Sequence, residues 1–590
     1  MLDRPAYLGV VRSVTGRSWV GPDPYAERLG QAIAQTVEVP EIVGRVMALR
    51  GVEPEDAAAY LAPTLRDLMP DPTTLLGMEA AAERLVAAVR RGERIVLFGD
   101  YDVDGAASVA LLIDWLGALG LTATPYIPDR IDEGYGPNIP AMERLGAAHD
   151  LIICLDCGSA TPDPITVAQA AGADVLVVDH HLTDQVPEAA RAVVNPNQPG
   201  CGSGLGALCA AGVTFLLLVA ANRLMRRRGA FGNRPEPDLL ARLDLVALAT
   251  VADVAPLTGL NRAFVRQGLK VLARRARPGL AALADVAGLT APPTARDLGF
   301  ALGPRINAGG RIGEADLGTR LLATGCPDEA ARLAARLDAL NRERREVEAA
   351  VVAAAEMQAA ERGAEGPLVW AAGEGWHPGV VGIVASRLKE RFARPAVVVA
   401  LQGGRGKGSG RSIAGVDLGT AVAALAREGL LEKGGGHAMA AGLTVSTERL
   451  AAAMAALADR LAAQGAGQGG AVDLAIDGAV APGGATAGLV AALEAAGPYG
   501  PANPAPRIAV TGARLEALKP VGQGHLKCRL KGAGGSLDAI AFRAEATGLL
   551  GPLTAAAEAG RALHAAGRLE LDDWGGRRKA KLCIEDIAIP

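Results

Sequence analysis

An apolar run of strand length, Ile95–Phe98, ends at Gly99. Three carboxylates then follow at alternate positions, Asp100, Asp102 and Asp104, before Gly105 opens an Ala/Leu-rich helical pattern. The order reads as strand, charged turn and helix. Asp is a poor strand former and three like charges this close repel, so folding alone does not favour the arrangement unless a cation neutralises it. Hard divalent ions such as Mg²⁺ and Mn²⁺ take oxygen ligands, and in an open α/β sheet ligands gather where strands end and helices begin. The alternative is a solvated acidic turn, and the rest of the chain decides between the two.

Two further strand ends repeat the logic. Leu151–Leu155 runs into Asp156-Cys157-Gly158, and Val175–Val178 runs into Asp179-His180-His181. The chain holds only 7 histidines in 590 residues, so an adjacent pair at an acid-bearing strand end is not what scatter predicts. A neutral imidazole suits Mn²⁺, and its neighbour can hold or donate a proton. Asp253 ends one more apolar run, Leu248–Val254, and is a candidate further ligand or a helix-end residue. With Leu121–Pro128 and Ala192–Asn195 also strand-like and helical patterns between, the expectation is an α/β fold with a doubly wound parallel sheet covered on both faces.

At 590 residues the chain is too long for one core, so several domains are expected. A net charge of −4 does not advertise nucleic-acid binding, but a local basic groove would suffice for it. Seven scattered cysteines form no disulfide framework and fit a reducing, cytoplasmic setting. Cys154-Leu155-Asp156-Cys157 has no second pair at zinc-finger spacing, and the first residues lack a signal-peptide pattern. The apolar run Leu205–Ala221 is rich in Gly and Ala and reads as a buried helix rather than a membrane span.

Residues 1–75 read as an extension packed on the first domain, which covers 76–326. Residues 327–362 carry no Gly, and after Pro327 no Pro, and predict a connecting helix about 50 Å long that would hold two domains apart and leave a cleft. In the second domain, 363–465, the segment Gly403–Ser412 combines glycines that permit close backbone approach with Arg405, Lys407, Ser409, Arg411 and Ser412, donors matched to phosphate oxygens. Its order does not fit the nucleotide-triphosphate P-loop. After a Gly/Gln linker, residues 471–590 carry short β-like runs, Arg507–Leu515, His525–Leu530 and Lys579–Ile587, and predict a small barrel. Its few aromatic residues, Tyr499, Phe542 and Trp574, leave backbone contacts from Lys527, Arg529, Arg577, Arg578, Lys579 and Lys581 as the larger contribution to any strand binding.

Gly99–Gly105, Glu133-Gly134-Tyr135-Gly136, Asp156-Cys157-Gly158, Asp179-His180-His181 and Val251-Ala252-Asp253 resemble the successive motifs of the DHH phosphoesterase superfamily. The likeness continues through Gly303–Arg311, Gly375–Ile383, Gly408–Ser412 and Gly435–Gly442, and covers the chain from about residue 75 to its end. Within the superfamily it points to the bacterial exonucleases that degrade single-stranded DNA from 5′ to 3′ in recombination and repair. Those proteins often carry Asn where Cys157 stands and Ala where Gly309 stands. The resemblance implies a smaller α/β DHHA1 domain beyond the long helix and an OB-like barrel at the C-terminal end.

The resemblance and the carboxylates together give an expected site. Asp102, Asp104, Asp156, His180 and Asp253 form the expected ligand set for two divalent cations, Mn²⁺ or Mg²⁺, with Asp156 or Asp102 bridging. Two ions about 4 Å apart activate water and neutralise charge on both oxygens of an in-line displacement. His181 is expected to donate a hydrogen bond or proton, and Asp100 and Asp179 to orient the ligands. The resemblance implies that Arg130, Tyr135, Arg305, Ser409 and Arg411 grip the nucleotide at the 5′ end, with Asn307, Arg311 and His437 lining the same cleft. It also implies a monomer that works with single-strand-binding protein and a helicase.

Overall fold

The computed structural model describes residues 6–129, 133–363, 365–467, 473–522, 524–572 and 578–590. Arg130, Trp574 and Arg577 lie outside the described residues. The first sheet has five parallel strands: β1 (Ile95–Gly99), β2 (Ala123–Tyr126), β3 (Leu151–Leu155), β4 (Asp174–Val178) and β5 (Ala192–Val194). Their order is β2-β1-β3-β4-β5. Every residue of β1 and β3 is buried, which is why both read as unbroken apolar runs rather than alternating ones. Ile95 and Leu97 face one core with the helices α1 (Val103–Ala118) and α2 (Ala210–Arg227); Val96 and Phe98 face a second with Met142, Leu145 and Ile165. The strand period of two thus feeds both layers. The apolar run read as a buried helix from Leu205 starts its helix at Ala210, and fourteen of its eighteen residues are buried.

Helix α3 (Leu243–Ala252) packs on α1, and α4 (Gly303–Ile312) leads towards the long helix α5 (Pro327–Arg362). Beyond α5 a five-stranded sheet runs β9-β10-β8-β7-β6, made of β6 (Val369–Glu374), β7 (Ala396–Gln402), β8 (Arg405–Arg411), β9 (Lys433–His437) and β10 (Ala440–Ser446). The glycine-rich segment is therefore a central strand. A Cβ built on Gly406, Gly408 or Gly410 would lie 2.6 Å from Val399, 2.8 Å from Leu443 or 2.6 Å from Leu418. These three glycines make room for apolar side chains on one face of the sheet, while Arg405, Lys407, Ser409 and Arg411 alternate onto the other. That corrects the reading of these glycines as backbone left open to a phosphate.

The last strands, β11 (Ile508–Val521), β12 (His525–Gly532), β13 (Gly535–Ala541), β14 (Leu563–Asp572) and β15 (Lys579–Ala588), close into a barrel through the β11–β14 pairing. The N-terminal extension packs on both ends of the chain: Leu65 and Leu75 join the core of the first domain, where Arg262 also holds the Tyr60 carbonyl, while its earlier helices pack on the C-terminal domain. Ile33, Ile42, Val43, Val46 and Met47 share a core with Leu489, Leu493 and Ile508, and Trp19–Val20 pairs with Leu474–Ala475. The C-terminal partners of Trp19 and of Ile33–Met47 lie more than 400 residues away; Trp19 Nε1 donates to Asp586 Oδ2 at 2.9 Å across 567 positions. Among the described residues no helix is long and apolar enough to cross a membrane.

Candidate metal centre

A 2-1-3-4-5 strand order reverses direction between β1 and β3, and such switch points open a crevice at the carboxyl ends of the strands. Gly99 is in register with Leu155, and Leu155 with Val178, so Asp100, Asp156 and Asp179 follow three adjacent strands side by side. Asp102 caps α1, accepting from the backbone N–H of Asp104 at 2.9 Å and of Gly105 at 3.2 Å. Asp104 is buried against the start of α2, where the N–H groups of Ala210 and Ala211 donate to its two oxygens at 2.7 and 2.8 Å. Asp253 caps the C-terminal end of α3.

His180 Nε2 lies 3.3 Å from Asp156 Oδ1, 3.7 Å from Asp104 Oδ2 and 3.9 Å from Asp253 Oδ2. Three overlapping groups of donor atoms each fit within 4.8 Å: Asp104, His180 and Asp253; Asp156, His180 and His181; and Asp100, Asp102 and Asp156. All five residues expected as ligands thus come together. Asp100, expected only to orient them, stands in a donor group itself, and so does His181.

The electrostatics ask for a cation. Burial pushes the Asp104, Asp156 and Asp253 carboxyls upward, Asp253 to about 8, and the neighbouring carboxylates add to the rise. Asp156 Oδ1 is buried and accepts no hydrogen bond among the described residues. Several carboxylate oxygens with one or two imidazoles form a donor set that fits Mg²⁺ or Mn²⁺.

Asp179 is different, because it is fully engaged. It accepts from the backbone N–H groups of Ser159, His180 and His181 at 3.1, 2.8 and 3.2 Å, and its Oδ1 lies 2.7 Å from His181 Nδ1. Burial opposes its charge, but the donors from His181 and Ser159 hold it at about 2. Burial also opposes charge on His181, and the Asp179 carboxylate outweighs it, raising the imidazole to about 9. The Tyr135 hydroxyl donates to the Asp156 carbonyl at 3.2 Å and lies 3.3 Å from His181 Nε2.

The remaining expected residues divide. Ser409 and Arg411 adjoin the first turn of α6 (Val381–Phe392), where a Cβ on Gly382 would lie 3.1 Å from Ser409 Oγ and 3.2 Å from an Arg411 nitrogen. Ala440 pairs with both His437 and Arg411, so these two flank one strand. Arg305 instead donates to Asp338 on α5 at 2.9 Å and to the Ala301 carbonyl at 2.7 Å. Asn307 Oδ1 accepts from the Val103 N–H at 3.0 Å, clasping the turn that carries Asp102 and Asp104. Arg311 reaches the Gly379 carbonyl at 3.1 Å, linking the first domain to the second. Sequence reasoning missed the Ala210 and Ala211 donors and Asn195, whose amide donates to Ser159 Oγ at 2.9 Å and to the His181 carbonyl at 2.8 Å. The Asn195-Pro196-Asn197 run just past β5 was the available signal.

Residues 94–250 match the DHH family N-terminal domain, 365–463 the DHHA1 domain, and 476–586 the RecJ OB domain. The chain is 39% identical to the single-stranded-DNA-specific exonuclease RecJ of Dickeya dadantii over 565 residues, covering 93% of this chain and 96% of that one. The chain belongs to the RecJ family. RecJ of Escherichia coli is 36% identical over the same shares of the two chains. Among solved structures, RecJ of Thermus thermophilus in complex with Mn²⁺ superposes with a TM-score of 0.78 at 31% identity, over 97% of this chain and 79% of that one. Its complex with Mg²⁺ gives a TM-score of 0.72 at 30% identity over 97% and 78%. The RecJ likeness therefore spans the sheet that carries the carboxylates, the β8 strand that carries Ser409 and Arg411, and the barrel.

Proposed function

We propose that this chain is a metal-dependent exonuclease specific for single-stranded DNA, releasing mononucleotides from 5′ to 3′ in recombination and repair. The observation that carries the reading is Asp156. It is buried at the sheet's switch point, shared between two donor groups, and has an oxygen that lacks a hydrogen bond among the described residues. The names of the relatives and the metals of the solved RecJ structures support the substrate class and the choice of ion.

Asp102, Asp104, Asp156, His180 and Asp253 would hold two divalent cations. Such ions supply an activated water and neutralise the oxygens of an in-line phosphodiester displacement. Asp179 fixes both histidines by accepting from their backbone N–H groups, and His181, charged near neutral pH through Asp179, donates a proton or hydrogen bond towards the leaving oxygen. Ser409, Arg411, His437, Tyr135 and Arg130 are assigned to the 5′ end. The Ser409 hydroxyl, the Arg411 guanidinium and the nearby start of α6 make a phosphate-binding set, which favours an end over an internal position. Arg305, Asn307 and Arg311 shape the cleft through their bonds to Asp338, Val103 and Gly379. We divide the chain accordingly at 76–326, 327–362, 363–465 and 471–590. We place the protein in the cytoplasm, as a monomer acting beside single-strand-binding protein and a helicase.

Digestion of 5′- and 3′-labelled single strands and paired controls, with Mn²⁺ or chelator, tests the reading. Labelled mononucleotide is expected first from the 5′ label of unpaired DNA, and only with metal. Release from the 3′ label first, or intact DNA with either metal, contradicts it.

A further inference from the structure

Aromatic residues make up 3% of the chain, and Phe98, Phe215 and Phe264 are fully buried. Phe300 is 75% exposed, the largest exposure among the large hydrophobic side chains described. It lies in Leu298–Leu302, a single turn wound as a π-helix, a rare geometry that recurs at functional sites. An apolar ring left in water contributes little to folding.

That placement is specific. Just before the turn, Arg296 donates to Glu570 on the barrel strand β14 at 2.9 Å. Within it, a Cβ on Gly299 would lie 3.3 Å from Val251, and just after it a Cβ on Gly303 would lie 3.2 Å from Ala252 and 3.9 Å from Val103. Val251 and Ala252 lead directly into Asp253, and Val103 separates Asp102 from Asp104. The turn carrying Phe300 therefore joins the barrel to the metal centre. Val254, next to Asp253, is 66% exposed and held at φ +60°, so a second apolar side chain stands in solvent beside a candidate ligand.

We propose that Phe300 is a stacking platform for an unpaired nucleobase of the DNA strand as it passes between the barrel and the metal centre. The inference rests on the single-strand exonuclease reading and names a specificity-determining residue for it. Every base presents a π-face, so an exposed ring on the strand's path grips any sequence, and it loses its partner when the bases are paired in a duplex.

The test uses the full chain, wild type and Phe300→Ala, Phe300→Leu and Phe300→Trp, with oligothymidylate carrying one 2-aminopurine at successive positions. Because the ring is exposed, all four proteins are expected to melt alike. In chelator, wild type is expected to change 2-aminopurine emission at one or two adjacent positions; Ala and Leu lose that response and Trp keeps it. With Mn²⁺, the KM of Ala and Leu for the strand rises roughly 5- to 100-fold with kcat nearly unchanged, and an abasic site at the responsive position abolishes the difference from wild type. Unchanged KM and emission in Phe300→Ala, beside a wild type that cuts single strands, overturn the stacking role alone. A wild type that neither binds nor cuts single strands overturns the exonuclease reading and this inference together.

Discussion

Asp156 occupies the left-handed region at φ +61° with its carboxyl buried among Asp100, Asp102, Asp104 and Asp179. A residue held in that conformation and that company costs stability, so its place is explained by what it binds. Replacing it by Ala is expected to lower single-turnover cleavage by at least about 10³-fold while the protein melts no lower, because phosphodiester hydrolysis is intrinsically slow and depends on each ligand. The metal-free site also predicts a pH dependence. The Asp253 carboxyl is raised to about 8 by burial and by Asp104 and Asp102, whereas in the unfolded chain it titrates near ~4. Between those values the native state binds more protons than the unfolded one, so metal-free stability falls as pH rises through the window. Bound cations reverse that penalty, so the rise in Tm caused by Mg²⁺ should grow from pH 6 to pH 8.5 in thermal scans; a rise that shrinks over that range would contradict the assignment. The carboxylates and histidines of this site were legible because they cluster where apolar runs end. The Ala210 and Ala211 donors were not, because a backbone N–H carries no signature in its side chain.

At the scale of elements, the parallel strands and the long helix follow from unbroken apolar runs and from a Leu/Ala/Arg/Glu stretch free of internal breakers. Strand β8 did not, because glycine is a weak strand former and its role there appears only when β7, β10 and the Leu418 helix are packed against it. This gives a sharp expectation. Gly410→Val overfills the space beside Leu418 and should cost about 1–3 kcal/mol in urea unfolding, although Ser409 and Arg411 are untouched. Lys407→Val, three residues away on the outer face, should cost much less. Equal losses at the two positions would show that the glycine face is not a packed one.

Over the whole molecule, the chain returns to its beginning. Trp19 and Arg17 meet the buried Asp586 carboxylate, Arg50 pairs with Asp477 at 2.9 Å, and Arg262 of the first domain donates to the carbonyls of Tyr60, Ala496 and Gly497. The extension therefore couples the barrel to the domain that holds the carboxylates, which no local pattern in residues 1–75 foretells. Trp19→Phe removes one donor from Asp586 and should cost about 1–3 kcal/mol, read as a lower urea midpoint. The account as a whole stands on one centre, which is tested most directly by calorimetric titration of the metal-free full chain with Mn²⁺, beside Asp156→Asn. Two ions per chain in the wild type, with at least one lost in a variant of unchanged circular dichroism, is the predicted result. No binding, or identical binding by both proteins, would contradict it.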